Sequence, residues 1–203
     1  MRDTFRGPSR WREVLFLASL VPALMVPELA EAHVTQGPIG GFSAGMAHPF
    51  SGLDHLMAML AVGIWGAQMG GRSVWSLPVT FPLVMTVGGV LGMAGVPLPH
   101  VETGIALSML VLGAAIVLAW RPHEWAALAV IAFFAICHGY AHGVELPNAA
   151  DPAAYATGFV IATGTIHILG IGIGLSLGKL FDGWFSRGLG GGIVAGGLYF
   201  LLA

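Results

Sequence analysis

His48-Pro49-Phe50-Ser51-Gly52-Leu53-Asp54-His55 opens a long apolar run, Leu56 to Ala67, that reads as a membrane span. Two imidazoles and a carboxylate at that depth are expensive and mark a site. Pro49 suits the first turn of a helix, where its missing N–H takes nothing from the ladder. On a helix begun there, His48 and His55 are seven residues apart and fall near one face. Gly52 lies between them and leaves that face open. Asp54 points elsewhere on the helix, as a further ligand or as the acceptor that orients a histidine. A second stretch, His138-Gly139-Tyr140-Ala141-His142-Gly143-Val144-Glu145, repeats the chemistry at helical spacing.

Working outward, the 203-residue chain is 56% hydrophobic and 9% charged, with a mean hydropathy of +0.83. That composition belongs to an all-α integral membrane protein with the lipid bilayer as its solvent. A net charge of −2 without a basic patch excludes a nucleic-acid partner, and the single cysteine, Cys137, excludes an intrachain disulfide. Leu175 to Leu180 contains a Gly-Lys pair but lacks the spacing of a phosphate-binding loop and the Ser/Thr after lysine, which excludes ATP hydrolysis here.

Residues 1–32 read as a secretory signal peptide. Arg2, Arg6, Arg10 and Arg12 form its positive region, Val14 to Val26 its short apolar core, and Ala30-Glu31-Ala32 a small-x-small cleavage site. The mature chain then starts at His33, and residues 33–203 form one six-helix transmembrane domain. After the first span, the remaining spans are expected at Trp75–Ala94, Val101–Trp120, Trp125–Ala141, Ala153–Leu177 and Gly188–Ala203. Beyond residue 32 the basic residues are Arg72, Arg121, Lys179 and Arg187, which follow the first, third and fifth spans. Glu102, Glu145 and Asp151 mark the opposite face. That is a positive-inside distribution, with both mature termini outside.

Gly170, Gly174 and Gly178 recur every four residues in the fifth span, as do Gly188, Gly192 and Gly196 in the sixth. Such ridges let helix backbones approach closely, within one bundle or across a homo-oligomer.

The alternation of spans brings both histidine motifs to one membrane level. Span one runs inward from His48, Asp54 and His55, and span four runs outward to His138, His142 and Glu145. Four imidazoles and two carboxylates suit a borderline divalent ion such as Ni²⁺, Zn²⁺, Co²⁺ or Cu²⁺. His167 lies deeper, either as a helix–helix hydrogen-bonding group or as a station farther along a path. His100 and Glu102 are solvated loop residues or ion gatherers, and His33 is a further candidate at the mature N-terminus. His123 with Glu124 reads as a helix start. Cys137, Met57 and Met59 read as packing.

His48-Pro49-x-x-Gly52-x-Asp54-His55 followed by His138-Gly139-x-Ala141-His142-Gly143-x-Glu145 resembles the HupE/UreJ family, the hydrogenase and urease accessory membrane proteins. The resemblance covers the whole chain. The first motif is matched in full, while the second usually begins with phenylalanine where this chain has Cys137. The resemblance implies a nickel permease of the bacterial inner membrane, with periplasmic termini. Such a protein is a secondary transporter rather than an enzyme. It has no permanent cofactor, with Ni²⁺ as its transported substrate and Co²⁺ as a second one. The competing readings are an intramembrane metal-dependent hydrolase, with Asp54 or Glu145 as base, and a haem-binding redox protein.

Overall fold

A computed structural model describes residues 38–146, 151–178 and 183–203. Residues 1–32, where a signal peptide is expected, His33 and Lys179 lie outside these residues. Among the described residues there are seven α-helices: α1 (Pro38–Ala47), α2 (Leu53–Met69), α3 (Ser73–Met93), α4 (Val101–Val117), α5 (Glu124–Val144), α6 (Pro152–Leu177) and α7 (Trp184–Leu202). No strand occurs among the described residues. By length and apolarity α3, α5, α6 and α7 are each able to cross a membrane. The bent pair α1–α2 would make a fifth span, and α4, at 17 residues, is shorter. Leu83, Val87, Trp125 and Ile168 turn large apolar side chains outward. Contiguous surface of that kind is a liability in water and a requirement in lipid.

The expected spans coincide with α2 to α7 to within a few residues, and the boundaries have local causes. Asp151 caps α6, its Oδ1 accepting from Ala154 N–H at 2.7 Å, and Pro152 takes the first helical position. α4 stops three residues before the expected Trp120. Ala119 adopts a left-handed φ of 49°, while the Ala119 and Trp120 N–H groups bond back to Ile116 and Ala115. This is a Schellman stop, and alanine in place of its usual glycine carries some strain. The freed Trp120 carbonyl accepts the Trp65 indole N–H at 2.9 Å.

Two expectations fail at the first span. Its opening residues do not share a helix with His55. His48–Phe50 form a single 3₁₀ turn, Gly52 is extended at φ −104° and ψ 118°, and α2 begins only at Leu53. The chain bends by 78° between the two sides of this break. The preceding α1 was also not expected. Its sequence, PIGGFSAGMA, is poor in helix formers. Packing supplies what propensity lacks: a Cβ at Gly45 would collide with the Tyr155 carbonyl, and one at Gly158 with that of Phe42. α1 and α6 therefore run backbone to backbone.

The same device joins other helix pairs. Gly139 and Gly143 of α5 press on the Met85 and Gly89 carbonyls of α3, and Gly63 and Gly170 join α2 to α6. Gly170 and Gly174 thus act inside the bundle, as one reading of their spacing held. In α7 the register differs from the expected one. Gly190 and Gly197 meet α4, Gly196 meets Met57 and Met109, and Gly188 and Gly192 meet nothing within 4 Å among the described residues. With three adjacent glycines at 190–192, four-residue spacing alone does not select the buried face.

Contacts between helix ends show which ends lie together. Trp65 of α2 stacks on Trp120 beyond α4 at 5.8 Å, and Ser76 Oγ of α3 donates to Glu124 of α5 at 2.6 Å. These contacts gather the ends bearing Arg72 and Arg121. At the opposite end, His48 stands 3.2 Å from Glu145.

Candidate metal centre

The break at Ser51–Gly52 brings His48 back over the start of α2, while α5 carries His138 and His142 one turn apart beneath it. The rings form a chain of contacts. His48 lies 4.8 Å from His142, His142 lies 4.5 Å from His55, and His55 lies 4.9 Å from His138. His55, His138 and His142 are buried. His48 and Glu145 are the open side, with side-chain exposures of 27% and 51%. One ligand atom from each of His48, His142 and Glu145 lies within 4.8 Å of the others.

Hydrogen bonds determine which nitrogen each ring presents. Asp54 Oδ1 accepts from both the backbone N–H and the Nδ1–H of His55, each at 2.8 Å. The carboxylate therefore fixes the tautomer and leaves His55 Nε2 as a lone pair, buried and without a hydrogen-bond partner among the described residues. Asp54 takes the orienting role, one of the two its position allowed. Gly52 has a new part in this. A Cβ there would sit 2.9 Å from Asp54 Oδ1 and 3.2 Å from His55 Nδ1, so glycine makes room for the pair.

His138 is oriented by a residue that sequence reasoning missed. Ser108 of α4 donates its hydroxyl to the Ile105 carbonyl at 2.6 Å, so its oxygen accepts Nε2–H of His138 at 2.9 Å. The lone pair of His138 is then on Nδ1, again buried and without a hydrogen-bond partner among the described residues. The available signal was a serine inside the otherwise apolar run Ile105–Val117. A polar group at that depth needs a partner.

His142 is the hub. Neither of its nitrogens makes a hydrogen bond among the described residues, and Nδ1 is 3.8 Å from Glu145. Its ring rests 4.2 Å from that of Phe159 and borders a cavity of about 240 Å³ between α3, α5 and α6. The assembly presents oriented imidazole lone pairs and a carboxylate, a donor set suited to a borderline divalent cation.

The remaining candidates lie elsewhere. His100, exposed and in a left-handed conformation, and exposed Glu102 begin α4 outside the cluster. His123 is the exposed N-cap of α5. His167 is buried one helix away and donates Nδ1–H to the Pro78 carbonyl at 3.0 Å. Met59 is wholly buried, and Met57 packs against Gly196.

Residues 21–200 match the family described as HupE / UreJ protein. The chain belongs to the HupE/UreJ family. The protein HupE of Rhizobium leguminosarum bv. viciae is 42% identical over 180 residues, which cover 88% of this chain and 93% of that relative. No solved structure matches. The departure from the HupE/UreJ pattern at Cys137 has a local setting: a Cβ at Gly104 of α4 would lie 2.7 Å from its Sγ.

Proposed function

We propose that this HupE/UreJ chain is a secondary permease that carries Ni²⁺, and Co²⁺ as a second cargo, across the bacterial inner membrane to supply hydrogenase or urease maturation. The observation that carries the reading is the convergence of His48, His55, His138, His142 and Glu145, with Asp54 and Ser108 orienting two of the rings. Ions enter at the exposed His48–Glu145 side and pass to the buried nitrogens beneath. A transported ion must be held well enough to shed water and weakly enough to leave. A wide donor set made of single nitrogens on four separate rings meets both demands. Family membership favours transport over hydrolysis. The tight ring spacing also leaves no slot for a porphyrin within the cluster.

In this reading the broken α1–α2 unit and the short α4 are spans too, giving six. The chain is cleaved before His33, and the Arg72 and Arg121 loops face the cytoplasm. The deciding experiment is uptake of radiolabelled nickel by cells with and without the protein at matched membrane expression. Equal uptake would overturn the permease reading. Cysteine labelling tests the topology, and external labelling at position 121 in intact cells would reverse it.

A further inference from the structure

Down α6 runs a line of four buried residues, each one turn from the next: Tyr155, Phe159, Thr163 and His167. The i, i+4 spacing stacks them on one face. The first two stand beside the cluster, the Tyr155 ring 5.9 Å from His48 and the Phe159 ring 4.2 Å from His142. The next two lie deeper. Thr163 Oγ1 and His167 Nε2 are buried and have no hydrogen-bond partner among the described residues. Leaving such a group unsatisfied is costly, so two in succession require an explanation.

Each has been left available by its surroundings. A helical threonine commonly returns its hydroxyl to the carbonyl four residues back. Thr157 does so at 2.7 Å and Thr165 at 2.9 Å, whereas buried Thr163 does not. His167 is held by a proline pair. The Pro78 carbonyl would ordinarily accept from residue 82, but Pro82 has no N–H, and His167 Nδ1–H fills the gap. The tautomer is thereby set and Nε2 keeps its lone pair, the same arrangement that Asp54 imposes on His55 and Ser108 on His138. Between the prolines, the Phe81 ring contacts both His138, at 5.5 Å, and His167, at 5.4 Å.

We propose that His167 Nε2, with Thr163 Oγ1 one turn away, forms a second and inner station for the divalent cation, reached from the histidine cluster past the Phe81 ring. The inference rests on the transport reading above. One nitrogen and one hydroxyl, with water completing the shell, bind more weakly than the cluster, as a site of release should. Loss of the station should therefore slow passage and spare capture.

The test measures Ni²⁺ binding at equilibrium and initial Ni²⁺ uptake on purified protein in proteoliposomes. His167→Asn keeps an amide donor for the Pro78 carbonyl and removes Nε2, and Thr163→Val removes the hydroxyl while keeping the shape. Cluster affinity should stay at the wild-type value, while the maximal rate falls about tenfold or more in His167→Asn and by a smaller factor in Thr163→Val. Unaltered rates in both variants, with wild type transporting, overturn the inner station and leave the permease reading standing. A matching loss of affinity also overturns it, because His167 would then be supporting the cluster. If His167→Asn fails to fold, the rate of Thr163→Val decides. Wild-type protein that binds Ni²⁺ but never moves it overturns the permease reading and this inference together.

Discussion

On α5, His138 and His142 ride one uninterrupted helix with Glu145 as its C-cap, whereas His48 and His55 sit on two elements that meet at 78° across Gly52. In the first case helical periodicity alone aligns the donors. In the second, alignment comes from a turn, an extended glycine and the packing of α1 on α6. The continuous helix is braced on both flanks, by Gly139 and Gly143 against α3 and by Ser108 of α4 on the His138 ring. The broken element is braced by the Asp54–His55 pair and, at its open end, by the contact of His48 with Glu145. One motif is therefore a fixed wall and the other the piece assembled against it.

The largest effect expected from breaking this contrast is at His142, where the two motifs touch. His142→Ala should abolish uptake at normal membrane expression. In a double-mutant cycle with His55→Ala, the two losses in Ni²⁺ binding free energy should be strongly non-additive. Strict additivity would mean that the wall and the assembled piece work separately.

Next comes Asp54→Asn. It retains an acceptor for His55 Nδ1–H and removes the charge, and should weaken Ni²⁺ affinity by about 10–100-fold with expression intact. Wild-type affinity in a binding titration would deny the carboxylate any part in capture.

Ser108→Ala should cost affinity near the low end of that scale, about tenfold, because His138 keeps its lone pair and loses only its orientation. His100→Ala, outside both motifs, should leave uptake kinetics at wild-type values. A large change there would extend the site beyond the cluster.

The contrast also explains how far residues alone reveal this molecule. Helices α2 to α7 follow from apolar runs of adequate length, and the pairing of their ends follows from Arg72, Arg121, Glu145 and Asp151. His138, His142 and Glu145 are readable because a continuous helix converts spacing into direction. The break at Ser51–Gly52 is not, since Pro49 is equally compatible with opening a helix and with a 3₁₀ turn. α1 was hidden because Gly41 and Gly45 lower helix propensity while enabling the contact that forms the helix. Ser108 and the Pro78–Pro82 pair were visible as polar or donor-deficient positions in apolar runs. Only the third dimension shows which histidine each one serves.

The close seating of α5 on α3 has an implication for altering the protein. With Gly139 and Gly143 against main-chain oxygens, α5 has no slack for even a methyl group, so His142 and its neighbours tolerate little redesign. His48 is different: it lies partly exposed on a three-residue turn and contributes its ring from the periphery. Exchanging His48 for a thioether or thiolate donor is therefore the route by which selectivity could be moved toward softer ions while the helical wall stays intact.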